Sequence, residues 1–346
     1  STAGVNQVRA STVEGSQADF ESTGEAFKVD QLASAWGMGC GLVSGAVWCW
    51  NFSGPGDPPS RNPGWGQLSR APTLVDDTHE FIDLAVMGGA VCALDIQHTV
   101  WCARSGEQSL VLQSGLPLMR SIASSPDGFG FLSDELCGLA EADSTAWCWV
   151  YGGAGVQLPR SPAFIKLWMD PGIACGLRVD STAACWGSGP LGDGTTGASD
   201  TAVAVSGGHR FLELALGVAV GSAGACGRTT TREIWCWGSS GSSPDVLTPI
   251  FLESNSYGVG MTDNVIASYS FGQSMNQWWW LGATKSVMRV GRGLEDLPVK
   301  GFSTNNSPSC VHLVDRQVYC WDIMWDQTSR IPTETYSPVQ PVRSLP

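Results

Sequence analysis

Short apolar segments in which residues alternate in polarity recur along the chain, separated by turns rich in glycine, proline and polar residues. Phe81–Leu84, Phe164–Leu167 and Phe211–Leu214 are three such segments, and each precedes a pair of cysteine-containing segments joined by a polar turn. Alternation with a period of two predicts β-strands, whereas the period of an amphipathic helix is nowhere sustained. The pattern therefore predicts an all-β protein built from short antiparallel strands.

The cysteines show that these segments belong to a repeat. The chain contains 12 cysteines, which fall into six local pairs with eight to ten residues between the members of each pair. Tryptophans flank the second cysteine in several units, as in Trp48-Cys49-Trp50 and Trp235-Cys236-Trp237. The six pairs are Cys40/Cys49, Cys92/Cys102, Cys137/Cys148, Cys175/Cys185, Cys226/Cys236 and Cys310/Cys320.

A seventh unit without cysteines is predicted between Cys226 and Cys310. The gap of 84 residues between these two cysteines is nearly twice the spacing of the neighbouring units. Within the gap, Tyr269 and Trp279 align with the two cysteine positions of the other units. Six intervals over the 270 residues from Cys40 to Cys310 average 45 residues, so the chain contains seven predicted repeats of that length.

The spacing of each cysteine pair fits a disulfide across a β-hairpin. Residues opposite one another in an antiparallel hairpin have Cβ atoms about 4.5–5.5 Å apart, close to the distance that a disulfide spans. Since side chains alternate faces along a strand, the cysteines and the flanking tryptophans point to opposite faces, and both faces are apolar. Such sheets are typical of radially packed blades, so we predict a seven-bladed β-propeller with one hairpin disulfide in six of its seven blades.

The two ends of the chain differ from the repeats between them. Residues 1–26 are polar and rich in Ser, Thr and Glu, so we predict an N-terminal tail that is a candidate partner-binding segment. The propeller is predicted to span residues 27–346. The proline-containing segment 337–345 resembles a strand that the first unit lacks, so we expect the C-terminal strand to complete the first blade and close the ring.

Composition and charge restrict the compartment and the partners. Twelve cysteines suit an oxidising compartment, so we expect an extracellular, secreted protein. Lys and Arg total 19 against 32 Asp and Glu, and the net charge of −13 argues against a nucleic-acid partner or an anionic membrane surface. The most apolar stretch, Phe211–Cys226, contains Glu213 and three glycines, so no membrane insertion is predicted.

The repeat resembles that of the regulator of chromosome condensation family. The residues that carry the resemblance are Gly89–Leu94, Cys185-Trp186-Gly187, Leu191–Thr195, Gly66–Leu68 and Val318–Trp321. The resemblance covers about residues 27–346 and implies a seven-bladed β-propeller. The cysteine-paired form is similar to ectodomains of crinkly-type plant receptor kinases, and its architecture is similar to β-lactamase inhibitor protein II. The nuclear member that names the family activates a small GTPase, but the acidic charge and cysteine pairs of this chain do not favour that role.

The sequence predicts no catalytic residue, no metal site and no cofactor. The cysteine spacing does not match that of zinc sites, no Walker-type or nucleophile-elbow motif occurs, and the four histidines lie in different units. Loops are better candidates for binding, and the longest, Asn51–Arg70, is rich in glycine and proline and contains Trp65. Sequons at Asn51 and Asn305 are candidate N-glycosylation sites.

These observations favour a non-enzymatic protein-interaction or structural module that binds a protein partner or self-assembles. Alternatives are a carbohydrate-binding propeller with a glycan partner, a protein inhibitor or receptor ectodomain, and an enzyme with its site in the central channel. Exposed tryptophans at equivalent positions would favour glycan binding, and a large apolar patch or an outreaching tail would favour assembly. Convergent acids and a histidine in the channel would favour an enzyme.

Overall fold

Seven four-stranded antiparallel sheets, each made of consecutive strands, follow one another along the chain after a separate two-stranded hairpin. The described part of the chain contains no helix, and therefore no helix that could cross a membrane. The computed structural model describes residues 6–11, 17–22, 28–35, 38–51, 72–87, 90–104, 107, 109–124, 135–170, 172–219, 222–239, 245–254, 256, 258–262, 265–269, 275–281, 284–290, 299–303, 309–313, 315–321 and 340–341.

The strands are numbered in chain order and the seven sheets are called blades 1 to 7. The N-terminal hairpin consists of β1 (Asn6–Ser11) and β2 (Gln17–Ser22). Blade 1 consists of β3 (Gln31–Ala35), β4 (Met38–Val43), β5 (Ala46–Asn51) and β6 (Thr73–Asp76), and blade 2 of β7 (Phe81–Met87), β8 (Ala90–Asp95), β9 (Val100–Arg104) and β10 (Val111–Leu112). Blade 3 consists of β11 (Met119–Ser124), β12 (Glu135–Ala140), β13 (Ala146–Val150) and β14 (Val156–Gln157). Blade 4 consists of β15 (Phe164–Asp170), β16 (Ile173–Arg178), β17 (Ala183–Gly187) and β18 (Ser199–Ala204). Blade 5 consists of β19 (Phe211–Ala219), β20 (Ser222–Thr229), β21 (Ile234–Gly238) and β22 (Val246–Glu253). Blade 6 consists of β23 (Gly258–Thr262), β24 (Val265–Tyr269), β25 (Met275–Leu281) and β26 (Thr284–Val290). Blade 7 consists of β27 (Val299–Ser303), β28 (Ser309–Leu313), β29 (Val318–Trp321) and β30 (Gln340–Pro341).

The blades are arranged in a ring around their first strands. The first strand of each blade contacts the first strand of the next blade, and β27 of blade 7 contacts β3 of blade 1. Within each blade the strands follow one another outward in sequence order. The first strands therefore surround a central channel and the fourth strands form the outer rim. This arrangement confirms the predicted seven-bladed β-propeller.

Five of the predicted hairpin disulfides are present in blades 1 to 5. Each joins two residues that the register places directly opposite one another on the second and third strands, with Cα atoms 4.0–4.1 Å apart. The register of blade 7 also pairs Cys310 with Cys320, but the predicted bridge between their sulfur atoms lies outside the described side chains. The five disulfides indicate an oxidising environment.

Cys148 of blade 3 is less buried than the other nine described bridged cysteines. It forms the predicted disulfide with Cys137, which is fully buried, but Cys148 itself is only partly buried. Cys148 lies on β13 opposite Val156 of β14, a strand of two residues in which both side chains are exposed. It packs at the edge of the cluster that contains Cys137 and residues of blade 4, so solvent reaches this bridge from the rim. The bridge of blade 3 is therefore less well covered than the other four described bridges.

The register of blade 6 corrects one prediction about the unit without cysteines. Trp279 on β25 is paired with Val265 and not with Tyr269, which is paired with Gly258 on β23. Tyr269 and Trp279 therefore do not face each other across the hairpin as the cysteine pairs do. The register therefore centres this hairpin closer to the N-terminus than a pairing of Tyr269 with Trp279 would place it.

The core of the protein lies between neighbouring blades. Trp237 of blade 5 lies in one buried cluster with Cys175 and Cys185 of blade 4, whereas Cys236 lies in another cluster with Val259 of blade 6. The cysteine and its flanking tryptophan thus point to opposite faces of the sheet, as predicted. Most of both faces of a blade is covered by neighbouring blades, which explains why the charged fraction of the chain is only 15%.

A recurring backbone hydrogen bond joins each blade to the next and also closes the ring. A residue with positive φ in the turn between the second and third strands offers its carbonyl to the amide at the start of the next blade. The pairs among the described residues are Phe81 N to Gly45 O, Met119 N to His98 O, Phe164 N to Ser144 O, Phe211 N to Ser181 O, Ser256 N to Arg232 O and Val29 N to Arg316 O, at 2.8–3.0 Å. The last pair joins blade 7 to blade 1.

The expectation that the C-terminal strand completes the first blade is wrong. Gln340 and Pro341 of β30 pair with Cys320 and Tyr319 of β29, so they form the outer strand of blade 7. Blade 1 obtains all four of its strands from residues 31–76. Because the proline-led segment is the last strand of a unit and not its first, blade 1 lacks nothing, and contacts between blades 7 and 1 close the ring.

Deletion of residues 340–346 is expected to loosen blade 7 without opening the ring. The amides of β29 lose their outer partner strand, whereas β3 keeps its partner β4 and its contacts with β27. Hydrogen exchange followed by mass spectrometry should show faster exchange in β29 and unchanged protection in β3 and β6. Faster exchange throughout blade 1 would contradict this closure.

Candidate interaction surface

The antiparallel blades give the ring two faces with different connections. One face, which we call the turn face, carries the turns between second and third strands and the links from each blade to the next. The opposite face carries the ends of the third strands and the beginnings of the fourth strands. Asn51 is the last residue of β5, whereas the rest of the candidate binding loop, including Trp65, and the sequon at Asn305 lie outside the described residues.

Exposed large apolar side chains of the described residues fall into two sets. The first set is on the turn face and comprises Ile82, Ile96, Leu118, Ile165, Val179 and Leu212. The second set is on the outer strands or next to them and comprises Leu74, Val111, Leu112, Val150, Val156, Ile250 and Phe251. The turn-face set includes three residues at one equivalent position of the repeat.

These three residues, Ile82, Ile165 and Leu212, form what we call the apolar arc. Each follows a buried phenylalanine at the start of a first strand, and their exposed fractions are 47, 44 and 48%. The register of β7, β15 and β19 shifts at this residue, which marks a β-bulge. Because a bulge leaves the extra residue unpaired and bends the strand, the residue after the phenylalanine points to solvent. The arc lies at the mouth of the central channel in blades 2, 4 and 5.

Basic side chains lie beside the apolar arc. Arg120 occupies the equivalent position in blade 3, and its Nη1 donates to Ser144 Oγ at 2.8 Å. Lys166 follows Ile165, and its Nζ lies 4.8 Å from the centroid of the Trp168 ring. Arg210 precedes the arc residue of blade 5 by two positions and donates to the backbone oxygen of Asp180. The channel mouth therefore combines apolar and basic groups in a chain whose net charge is −13.

Asp83 lies at the next position of the first strand and links three blades. Its Oδ1 accepts from Gln31 Nε2 of blade 1 at 2.6 Å and from the Leu84 amide at 2.9 Å. Its Oδ2 accepts from the Ile122 amide of blade 3 at 2.9 Å. Burial raises the pKa of the Asp83 carboxyl above its ordinary value, and the hydrogen bonds from Gln31, Ile122 and Leu84 act in the opposite direction. Asp83 is thus engaged in holding blades 1, 2 and 3 together.

Glu213 plays the same part at the equivalent position of blade 5. Its Oε1 accepts from Arg228 Nε at 2.7 Å and from the Val259 amide of blade 6 at 3.1 Å. Both channel carboxylates are therefore used to join neighbouring blades. No group of three or more His, Cys, Asp or Glu suited to a metal ion is found among the described residues.

Two histidines of the turn face cover tryptophan rings instead of facing a reaction site. His79 stacks on Trp101 with ring centroids 3.9 Å apart, and His209 stacks on Trp235 at 4.1 Å. Burial lowers the pKa of His209 below its ordinary value, and Glu233 opposes this shift. Each histidine therefore covers one face of its indole.

The tryptophans that follow a cysteine are buried in blades 1, 3, 4 and 5. They pack between blades and offer no ring to a ligand. They are Trp50, Trp149, Trp186 and Trp237. The tryptophans that precede a cysteine are instead half-buried, and they are Trp48, Trp101, Trp147 and Trp235.

The connection between β17 and β18 packs against blade 5 in its first half. A Cβ at Gly192 would lie 2.8 Å from Cδ1 of Trp237, so the loop backbone lies directly on the indole of the next blade. The Asp193 carboxylate accepts from the amide and hydroxyl of Thr195, which fixes the following turn. The Leu191–Thr195 motif therefore joins blade 4 to blade 5.

Sequence reasoning missed the apolar arc and the two channel carboxylates. The segments Phe81–Leu84, Phe164–Leu167 and Phe211–Leu214 were recognised as strands, and strict alternation would place the second and fourth residues on one face. The bulge breaks this alternation, so Leu84 is buried whereas Ile82 is exposed. The recurrence of an aliphatic residue directly after phenylalanine in three units was the available indication.

Comparison with known proteins shows likeness in fold. No family model and no curated protein sequence matches the chain. Human WBSCR16 superposes with a TM-score of 0.58 at 10% identity, covering 74% of this chain and 79% of that one. The CRINKLY WD40 ectodomain of the Arabidopsis thaliana receptor kinase ACR4 gives 0.55 at 16% identity, covering 88% and 97%. The ectodomain of the Physcomitrella patens receptor kinase CR4 gives 0.57 at 14%, covering 86% and 75%.

These superpositions support the propeller architecture of the chain. Two of the three proteins are receptor-kinase ectodomains of the crinkly type, the class to which the sequence repeat showed a resemblance. At identities of 10–16% the likeness is one of fold, and function has to be argued from the surfaces of this chain.

Proposed function

We propose that the chain is a secreted, non-enzymatic protein-interaction module that serves as a structural subunit of an extracellular assembly. Its binding surface in this proposal is the turn face around the channel mouth. The apolar arc carries the proposal, because three blades expose an aliphatic side chain to nearly the same extent at the same repeat position. Exposed apolar groups bordered by polar residues are typical of protein-binding surfaces, and Ile165 and Leu212 lie in neighbouring blades.

The arc is also held rigidly, which favours tight binding. Each arc residue is preceded by a buried phenylalanine whose amide donates to the turn of the preceding blade, as in Phe81 N to Gly45 O at 2.9 Å. A surface whose backbone is already fixed loses little conformational freedom when a partner binds.

The extracellular location is supported by the disulfides and by the similar proteins. The cysteines of the five described bridges include Cys92, Cys102, Cys175 and Cys185, which are fully buried, so these bridges are structural parts of the core. Structural disulfides persist in secreted proteins and are rare in the reducing cytosol. Two of the similar structures are ectodomains of plant receptor kinases.

The groups that an enzyme would need are committed to structural contacts in the described residues. Asp83 and Glu213 accept hydrogen bonds from the backbones of neighbouring blades, and His79 and His209 stack on tryptophan rings. This arrangement brings no nucleophile, base and oxyanion donor together. An interaction role therefore fits the channel region better than catalysis.

Site-specific photo-crosslinking tests the proposed surface. A photoreactive amino acid is placed at Ile165 on the arc or, as a matched control, at Val156 on the outer strand β14, and each protein is irradiated in native extracellular material. We expect a defined protein adduct from position 165 and none from position 156. Absence of an adduct at position 165, or equal adducts at both positions, would contradict the proposal.

A further inference from the structure

We propose that the partner protein of the turn face places an acidic side chain in the channel mouth, where the ammonium group of Lys166 and the backbone amide of Leu214 bind its carboxylate. This inference rests on the proposed function and specifies the chemistry of the partner at the same surface. Blade 4 carries it, because its first strand departs from blades 1, 2, 3 and 5 at two positions next to the junction with blade 5.

The first departure is a tryptophan where other blades have alanine. Trp168 of β15 lies opposite Cys175, the first cysteine of its hairpin. In blades 1, 2, 3 and 5 the residue opposite the first cysteine is Ala33, Ala85, Ala123 or Ala215. Trp168 is half-buried and packs against the cluster between blades 4 and 5, which contains Leu214. Because four blades are built with alanine at this position, the repeat does not require a large side chain there.

The second departure is a lysine two residues earlier. Blades 1, 2, 3 and 5 carry a side chain that can accept a hydrogen bond at this position, namely Gln31, Asp83, Ser121 or Glu213. Blade 4 carries Lys166, which is exposed, and its Nζ lies 4.8 Å from the centroid of the Trp168 ring. A cation over an indole ring is attracted to it, so Trp168 holds the ammonium group in place at the channel wall.

The charge of Lys166 is not neutralised by a neighbouring carboxylate. Among the described residues, none of the ion pairs includes Lys166. Glu213 is paired with Arg228 at 2.7 Å, and both oxygens of Asp83 accept hydrogen bonds from blades 1 to 3. Burial raises the pKa of the Asp83 carboxyl, and the positive charge of Lys166 is among the causes that oppose this shift. Since Asp83 lies in the channel wall two blades away, the Lys166 ammonium points towards the channel.

Two other junctions show which contact a carboxylate makes at this level of the channel. Asp83 Oδ2 of blade 2 accepts from the Ile122 amide of blade 3 at 2.9 Å. Glu213 Oε1 of blade 5 accepts from the Val259 amide of blade 6 at 3.1 Å. In both cases an acidic side chain of one blade binds a backbone amide on the first strand of the next blade.

The junction of blades 4 and 5 lacks this internal carboxylate. The corresponding amide of blade 5 is that of Leu214, because Leu214 and Ile122 each lie opposite the glycine that follows the first cysteine of their own blade. Lys166 has only donors, so blade 4 offers no acceptor at this position. A carboxylate supplied by the partner takes the place of the missing one, and its charge also pairs with the ammonium group of Lys166.

The apolar arc indicates that this carboxylate belongs to a protein. Ile165 of the arc directly precedes Lys166 and is exposed at the channel mouth. A protein segment can cover Ile165 and Leu212 with apolar side chains and place one acidic side chain beside Lys166. An acidic polysaccharide carries carboxylates but no aliphatic groups that would cover the arc.

Zero-length carbodiimide coupling tests the contact directly, because this reagent joins an amine to a carboxylate only where the two groups touch. The full chain is added to native extracellular material and treated with the reagent, and the products are mapped by mass spectrometry. We expect an amide bond between Lys166 Nζ and an aspartate or glutamate side chain of another protein. Coupling of Lys166 only within its own chain, only to a uronic acid of a glycan, or to nothing would each overturn the inference.

Matched variants measure how much the site contributes to binding. The readout is the yield of the photo-adduct from position 165 at chain concentrations well below saturation, where yield follows the binding constant. Lys166→Met should lower the yield by about tenfold or more. Trp168→Ala should lower it by about 2- to 5-fold, and Trp168→Phe, which keeps a ring beside the ammonium, should restore most of it. Arg160→Met, in the link from β14 to β15, removes one exposed positive charge of the turn face and should leave the yield unchanged.

Lys166→Glu separates binding from folding. It gives blade 4 the residue that blade 5 has at this position, and its carboxylate can accept from the Leu214 amide within the chain. We therefore expect a urea midpoint at least as high as that of wild type, together with loss of the adduct. An adduct at position 165 whose yield does not depend on Lys166, or falls equally in Arg160→Met, would overturn this inference and leave the proposed function standing. If position 165 gives no adduct in the wild-type background, both fail.

Discussion

Full reduction of the disulfides is expected to unfold the propeller cooperatively. Each described bridge closes a loop of 9 to 11 residues across one hairpin. Chain-entropy estimates give about 3 kcal/mol for a loop of this size. Five such contributions together approach the entire stability of a typical domain, which is about 5–15 kcal/mol.

Reduction is expected to be slow in native buffer for four of the five described bridges. Both cysteines of the bridges in blades 1, 2, 4 and 5 are fully buried, so a reductant reaches them only when a blade opens. The bridge of blade 3 should be reduced first, because Cys148 is only partly buried.

The order of reduction is measured by free-thiol titration and far-UV circular dichroism. Both are recorded at increasing urea concentrations, with and without reductant. One pair of thiols, identified by mass spectrometry as Cys137 and Cys148, should appear before structure is lost. The thiols of the four buried bridges and the loss of structure should then appear together. A reduced protein with the urea midpoint of the oxidised one would contradict the expectation.

Removal of one bridge provides the control for this experiment. The pair Cys175→Ala and Cys185→Ala is expected to lower the free energy of unfolding by about 2–4 kcal/mol while the other bridges stay intact. Blade 6, which has no cysteines, shows that the ring accommodates a blade without a bridge. The single-bridge variant should therefore fold, and only loss of all bridges together should abolish the native state.

The fold could be predicted because its defining information is local in sequence. Cys175 and Cys185 lie opposite each other across one short turn, so their spacing alone indicates a hairpin, and its repetition indicates a ring. The alternation of Cys236 with Trp237 likewise predicts that both faces of the sheet are buried. These features depend on neighbouring residues, for which strand geometry leaves few alternatives. The partial exposure of Cys148 depends instead on how far the outer strand of its blade extends, which the cysteine spacing does not encode.

The cysteine pattern does not predict where each repeat begins or which contact closes the ring. A repeat has no intrinsic beginning, so the proline-led strand could open or end a unit, and β6, which follows Pro72, shows that it ends one. The contact that closes the ring joins Val29 to Arg316, two residues at opposite ends of the chain without a distinctive motif. Long-range closure is decided by packing.

The candidate surface escaped prediction because a single residue shift exchanges inside and outside. In β7 the bulge places Phe81 in the core and Ile82 in solvent, whereas uninterrupted alternation would place Ile82 and Leu84 together. The reversal of side-chain direction after a one-residue slip is general for strands. The sequence pattern identifies strands well, but a bulge has to be seen in the backbone before exposed residues can be assigned.

Substitution of Asp83 by asparagine is expected to lower the free energy of unfolding by about 1–3 kcal/mol at neutral pH. All three partners of the carboxylate are donors: Gln31 Nε2, the Leu84 amide and the Ile122 amide. An asparagine has one acceptor oxygen, so its NH2 group would face at least one of these donors without forming a hydrogen bond. Urea unfolding of both proteins measures the difference.

Glu213→Gln is the matched control at the equivalent position of blade 5. There a single oxygen, Oε1, accepts from both Arg228 and Val259, so a glutamine can keep both contacts with its amide oxygen. Its effect should therefore be smaller than that of Asp83→Asn. Equal losses in the two variants would indicate that removal of a negative charge, and not the loss of an acceptor, determines the effect.

The difference between wild type and Asp83→Asn should depend on pH in a defined direction. Because burial raises the pKa of folded Asp83 above the ordinary value of 3.8, folded wild type retains a proton where the unfolded chain has already lost it. Wild type therefore loses stability from this group as pH rises from 3.8 towards the raised folded value, and asparagine does not titrate. The amount by which the free energy of unfolding of wild type exceeds that of Asp83→Asn should decrease across this pH range and stay constant above it. An advantage that grows with pH over the same window would show that the folded protein favours the ionised carboxylate, and that the three donors outweigh burial.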